Sequence, residues 1–156
     1  MKPYADTNFF TRLYLALPES KQADRLVDLA KSRGASLLPV TWLHRMELAN
    51  ALEFSVWLGK QGGHPRVTAQ SAAVAHENFK DDLAAETFLV AETVEISALQ
   101  PLFDETVARQ TAKHGFRTYD ILHVVSARLL GCDHFFSFDI RANKLAQMEG
   151  LTIPPF

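Results

Sequence analysis

Four acidic residues stand out by where they lie: Asp6 in Tyr4-Ala5-Asp6-Thr7-Asn8, Glu47 in Met46-Glu47-Leu48, Asp120 in Thr118-Tyr119-Asp120 and Asp139 in Ser137-Phe138-Asp139. Asp6 and Asp139 each follow a short apolar run and precede a helical pattern, and Asp120 opens another. Glu47 falls on an apolar helical stripe, four residues after Leu43 and seven before Phe54. A carboxylate there costs on the order of several kcal/mol unless it is paired or bound to a metal. Brought to one pocket, four carboxylates repel one another, and a hard divalent cation is what such a cluster can hold. Magnesium or manganese suits it better than zinc, which favours histidine and cysteine. An ion of that kind can activate water and stabilise the charge that builds on a phosphodiester under attack.

Each acid also has a plainer reading. Asp6 and Asp139 sit where helix N-caps belong, Asp120 lies in a first turn where the helix dipole favours a negative charge, and Glu47 could pair with Arg45. Their placement as a set favours a metal site. In an open parallel sheet, ligands bind beyond the carboxyl ends of the strands, and Asp6 and Asp139 directly follow strands.

The elements that must position them follow from periodicity and breakers. Lys2–Ala5 reads as a short strand entering a helix at Asp6-Thr7-Asn8. Glu19–Arg33 carries Ala23, Leu26, Val27 and Ala30 at helical spacing with Gly34 behind it. Ser36–Val40 is a second strand, and Thr41 opens a long helix with Leu43, Met46, Ala51, Phe54 and Leu58 on its stripe, ending at Gly59. The glycines and proline of residues 59–66 make a loop. Val67–Leu89 predicts a helix, Glu92–Ile96 alternates like a strand, and Leu99–His114 and Tyr119–Leu130 are helical. His134–Phe138 is a buried strand, Asp139–Met148 a helix and Leu151–Ile153 a closing edge strand. Strands alternating with helices define an α/β fold with a mainly parallel sheet flanked by helices.

A chain of 156 residues that is 47% hydrophobic and 22% charged is expected to form one domain spanning 1–156. Its formal charge of −2 gives no global attraction to nucleic acid, so polyanion binding needs local basic groups and cations. Cys132 is the only cysteine, which excludes an intrachain disulfide and a thiolate metal cluster and suggests a buried small hydrophobe. Neither a signal peptide nor a membrane span is recognisable, and a cytoplasmic protein is expected.

Taken in order, Asp6-Thr7-Asn8, the helix Met46-Glu47-Leu48-Ala49-Asn50-Ala51-Leu52, Tyr119-Asp120-Ile121-Leu122-His123, and Phe136-Ser137-Phe138-Asp139 with Gly131-Cys132-Asp133-His134 before it resemble a known set. They are similar to the four acidic motifs of PIN-domain ribonucleases, especially the VapC-type toxins of bacterial toxin–antitoxin pairs. The resemblance spans nearly the whole chain. It implies a PIN-like α/β/α sandwich with sheet order 3-2-1-4-5 and an endoribonuclease that uses Mg²⁺ or Mn²⁺ and leaves a 5′-phosphate and a 3′-hydroxyl. It also implies a homodimer, an RNA substrate and inhibition by a small cognate antitoxin. Asp6, Glu47, Asp120 and Asp139 match the metal-binding and catalytic acids, and Thr7 and Asn8 match the polar support of the first. The chain departs from many relatives in being mildly acidic.

Supporting roles are assigned more widely. Asn50, one turn after Glu47, either holds its carboxylate or satisfies backbone or water. Arg12, Arg117 and Arg141 lie within a few residues of acidic positions and are the best candidates for phosphate contacts among basic residues that are mostly ordinary solvated charges. No two of the six histidines have a metal-binding spacing, and His123, three residues after Asp120, reads as a packing or supporting residue more than a catalyst. Phe9, Phe10, Tyr14, Trp42, Phe54 and Trp57 read as core or dimer surface. Two rival functions are a non-catalytic PIN-like RNA- or protein-binding module and a phosphatase with Asp6 as nucleophile. The second usually needs an aspartate where this chain has Asn8.

Overall fold

In the computed structural model, which describes residues 1–155, short apolar runs form strands that lead into helices. Strand β1 (Pro3–Ala5) is wholly buried and turns at Asp6 into α1 (Thr7–Tyr14), where the Asp6 carboxylate accepts the Phe9 N–H at 2.8 Å. Helix α2 (Ser20–Ser32) buries Ala23, Leu26, Val27 and Ala30, the spacing of a single helical face. Strand β2 (Leu38–Val40) passes through the Thr41 cap into α3 (Trp42–Lys60), which packs against α4 (Ala69–Ala84). After β3 (Leu89–Ala91) come α5 (Ile96–Thr106), a π-helical segment at Val107–Thr111, the short α6 (Ala112–His114) and α7 (Thr118–Leu129). Strand β4 (His134–Phe136) and α8 (Ile140–Met148) complete the order.

All pairing is parallel. β1 lies beside β4 with Tyr4 opposite Phe135, and β2 lies beside β3 with Pro39 opposite Val90. A single bridge joins His134 to Thr152, and the Ser36 N–H donates to the Met1 carbonyl at 3.3 Å between the two pairs. The α/β class is therefore as expected, but the described residues form two two-stranded sheets and a bridge instead of one continuous five-stranded sheet. Strands of three residues leave few ladder positions to join the pairs.

Side chains alternate across the β1–β4 pair. Ala5 and Phe136 face a core formed with Phe9, Phe10, Leu48, Leu52 and Phe79, whereas Tyr4 and Phe135 face a second core with Ile121, Val124 and Leu145.

Several expected boundaries move. The third strand is Leu89–Ala91 and not Glu92–Ile96. The alternation of 92–96 falls on a loop of residues 92–95 and the first residue of α5; in that loop Val94 turns into the second core and its carbonyl accepts the Trp42 indole N–H at 3.0 Å. The preceding helix ends at Ala84, before Glu86 at φ 49°. The helix expected at 99–114 begins at Ile96 and passes through the π-helical segment, and the closing strand is reduced to the bridge at Thr152. On α3 the buried residues are Leu43, His44, Leu48, Leu52, Val56 and Gly59, while Met46, Phe54 and Leu58 are exposed. This helix is apolar on most sides, so spacing alone offers two stripes and packing against its neighbours selects one.

Where α3 meets the following loop, the contact admits only glycine. A Cβ on Gly59 would lie 2.7 Å from the Val67 carbonyl oxygen and 3.1 Å from its nitrogen. Cys132 is buried and free, and burial pushes its thiol up to about 11. Among the described residues no helix is long and apolar enough to cross a membrane.

Candidate active site

Asp6, Glu47, Asp120 and Asp139 line one open pocket of about 540 Å³, together with Thr7, Asn8, Arg12 and His123. It lies beyond the carboxyl ends of β1 and β4, because Asp6 follows the first strand and Asp139 the loop after the second.

Three of the acids are caps as well as pocket residues, so the two readings posed by the sequence coexist. Asp6, only 5% exposed, accepts the Phe9 N–H through Oδ1 and the Ser137 hydroxyl through Oδ2 at 2.6 Å. Burial drives its carboxyl from 3.8 up to about 6; the positive field of His123 and the Ser137 and Phe9 hydrogen bonds oppose the rise, and Glu47 adds to it. Asp139 accepts the Arg141 N–H at 2.7 Å and the Ala142 N–H at 3.3 Å through Oδ1. Asp120 accepts the Arg117 N–H at 3.1 Å, and burial followed by the charge of Asp139 raises its carboxyl against the pull of Arg117 and Arg141.

Glu47 is different. It sits within α3 with its side chain 27% exposed, and its Oε2 is 2.6 Å from His123 Nε2. Burial alone would raise its carboxyl, but hydrogen bonds from His123 and Thr7 and the His123 charge outweigh burial and hold it below the ordinary carboxylate range. Arg45 and Asn50 are both exposed, and neither hydrogen-bonds to Glu47 among the described residues.

Smaller polar residues brace the pocket. Ser137 Oγ donates to Asp6 and accepts the Asp139 N–H at 2.9 Å, joining the first and last acidic segments. Asn8 Oδ1 accepts the Phe138 N–H at 3.2 Å, which supports the loop before Asp139 more than Asp6 itself. Thr7 Oγ1 lies 3.3 Å from His123 Nε2. Arg12 lines the pocket but is engaged by Glu19 at 3.0 Å and by the Asn8 carbonyl at 3.1 Å. Arg117 lines the pocket, and Arg141 is exposed at the start of α8. Phe9 and Phe10 are core as expected, whereas Phe54 and Trp57 form an exposed stacked pair with ring centres 5.4 Å apart.

Sequence reasoning missed Ser137, and it read His123 as packing or support without identifying Glu47 as its partner. The signals were present, since Ser137 is two residues before Asp139 and His123 one helical turn after Asp120.

The donor chemistry fits a hard cation. The pocket acids are carboxylates, and burying Asp6 makes its negative charge costly without a counter-charge. Hydrogen bonds engage Oδ2 of Asp120 and Oδ1 of Asp139, leaving the other oxygen of each without a hydrogen bond among the described residues. Yet no three His, Cys, Asp or Glu side chains among those residues form a ready-made ligand group, so the pocket assembles the acids without closing them around a point.

No protein-family model matches the chain, nor does any curated protein. Solved structures do share its fold. One is VapC20 of Mycobacterium tuberculosis, a sarcin-ricin loop cleaving toxin, at a TM-score of 0.63 and 15% identity, covering 99% of this chain and 100% of that one. Another is PAE2754 from Pyrobaculum aerophilum, at a TM-score of 0.53 and 17% identity, covering 98% and 90%. At such identities the likeness establishes the fold. The chain shares the α/β fold of VapC20 and PAE2754.

Proposed function

We propose that this chain is a metal-dependent endoribonuclease and the toxin of a toxin–antitoxin pair. The observation that carries this reading is the convergence of Asp6, Glu47, Asp120 and Asp139 on one pocket beyond the carboxyl ends of parallel strands. The fold likeness to a toxin that cleaves the sarcin-ricin loop supports it.

The four acids would hold Mg²⁺, or Mn²⁺ in its place. When bound, that cation neutralises the carboxylates, acidifies water and stabilises charge on the phosphodiester. The chain's own residues then have distinct tasks. Ser137 keeps Asp6 and Asp139 in register, and Asn8 supports the loop between them. Arg117 and Arg141, near the Asp120 and Asp139 side of the pocket, take flanking phosphates, and Arg12 joins them by exchanging Glu19 for phosphate. We also assign a continuous strand order 3-2-1-4-5, which the Ser36–Met1 hydrogen bond between the two pairs supports, and a cytoplasmic homodimer with a cognate antitoxin. The exposed Met46, Phe54 and Trp57 on α3 are apolar surface of the kind such partners cover.

Incubation of the purified chain with total RNA in Mg²⁺, in Mn²⁺ and in EDTA tests the mechanism. Cleavage is expected with either ion and none in EDTA. Undiminished cleavage in EDTA overturns metal dependence, and RNA binding without cleavage under all three conditions favours the non-catalytic module.

A further inference from the structure

Backbone groups at helix starts hold three of the four acids. Asp6, Asp120 and Asp139 accept N–H groups of Phe9, Arg117, Arg141 and Ala142 at 2.7 to 3.3 Å. Glu47 lacks that support, because within α3 the backbone N–H groups belong to the helix itself, and its side chain has one more rotatable bond than an aspartate. We propose that His123 is the positioning residue that replaces the missing backbone anchor, setting the Glu47 carboxylate in the pocket and tying it to the helix that carries Asp120. The assignment rests on the metal-dependent reading above.

The geometry fixes the ring from every side. His123 Nε2 is 2.6 Å from Glu47 Oε2, and an ionised carboxylate can only accept, so Nε2 carries the hydrogen. Nδ1 is 2.9 Å from the Tyr4 hydroxyl. Tyr4 is wholly buried, which keeps its phenol protonated, and it has Ser126 as a second hydrogen-bond partner. Ser126 and His123 share the phenol, so the Tyr4 hydroxyl anchors the Nδ1 edge of the ring while the Nε2–H faces Glu47. The neighbouring rings of Tyr4 and His44 have centres 5.8 and 5.0 Å from it. His44 is itself locked, its Nε2–H donating to the Ala5 carbonyl at 2.8 Å and its Nδ1 accepting the Thr41 N–H at 3.0 Å. Burial keeps it neutral, so it is a rigid wall and not a second charge.

A histidine serving only to fill the core would need partners for its nitrogens, but it would have no reason to take one of the pocket acids. A catalytic histidine would need access to substrate, and this side chain is 4% exposed with both nitrogens engaged. The ring instead joins β1 through Tyr4, α1 through Thr7, and α3 through Glu47. Carboxylates held by such outer partners lose about 10- to 100-fold in metal affinity when the partner is removed.

The test compares wild type with His123→Leu, which keeps bulk and loses the ring's hydrogen bonds to Tyr4, Thr7 and Glu47, and His123→Gln, which restores an N–H donor. Calorimetry is expected to show Mn²⁺ binding weakened about 10- to 100-fold in His123→Leu and partly recovered in His123→Gln. Placed in a Glu47→Gln background, His123→Leu should cause no further loss, because the group it positions is already disabled; a purely structural role predicts the same loss in both backgrounds. If His123→Leu does not fold, the comparison runs on His123→Gln, and ¹⁵N spectra of the imidazole in metal-free protein supply a second readout. Glu47→Gln should shift the Nε2–H resonance, and an unmoved resonance overturns the contact. Failure of wild type to bind Mn²⁺ overturns the metal reading and the positioning role with it. Tight binding by wild type and by both His123 variants overturns the His123 assignment alone.

Discussion

Asp6 is the residue at which burial and function conflict most directly. Its carboxyl sits at about 6 in the folded chain against 3.8 when free, so between these values the native state binds more protons than the unfolded one. The contribution to stability is fully present below about pH 4 and is lost as pH rises through about 6, by up to roughly 3 kcal/mol for a shift of this size. Urea unfolding in EDTA at pH 5 and pH 7.5 should therefore show Asp6→Asn gaining on wild type at the higher pH, while added Mn²⁺ reverses the order. A constant difference between the two proteins across that range would contradict the shift. At this scale the sequence was informative about types and silent about partners. Glu47 was conspicuous because an acid on an apolar stripe demands an explanation, but its partner lies 76 residues away and only folding brings it near. The caps of Asp6 and Asp139 were legible because capping is local, set within three residues of the cap.

Elements were legible where local chemistry dictates them and obscure where partners do. Asp6, Thr41 and Asp139 mark helix starts, and Gly115 and Gly131, both in the left-handed region, follow helix ends. The third strand was misplaced by a few residues because its position is set by pairing with β2, and the π-helical segment after α5 carries no local signal. That segment is tied to the end of α8 by Glu149, whose side chain is 2% exposed. It accepts from Arg109 at 2.9 Å, Arg128 at 2.7 Å and Gln110 at 3.2 Å. Removing the shared acceptor takes a partner from Arg109, Arg128 and Gln110 at once, and among the described residues only Arg109 keeps another acid, Glu105 at 3.8 Å. Removing one arginine, by contrast, leaves the carboxylate satisfied. Glu149→Ala should thus cost about 2–4 kcal/mol in urea unfolding and Arg109→Ala about 1 kcal/mol or less. Glu149 is not among the pocket's lining residues, so Mn²⁺ affinity should be unchanged in both. Equal losses in the two variants would show that the network is not centred on the glutamate.

Across the whole molecule, the ordered set of short motifs carried more information than any one of them. Overall identity to solved structures of the same fold is only 15% and 17%, and what the sequence displays is acids at strand ends and helix starts, the edge of an open parallel sheet where ligands bind. With a net charge of −2, the RNA attraction that the proposed function requires would have to come from a few arginines around the pocket. A glycine outside the acidic set bears on how such a chain could be silenced by mutation. Gly59 meets the Val67 backbone, and any side chain there forces α3 away from the loop whose Gly63, His64 and Pro65 form a wall of the pocket. If production of this chain arrests growth, survivors should arise at position 59 as well as at the acids, since every amino-acid replacement there introduces a Cβ. The two kinds of escape would differ in abundance on an immunoblot. Substitutions at Asp139 that keep a capping oxygen should leave normal amounts of inert protein, and those at Gly59 should leave little protein at all.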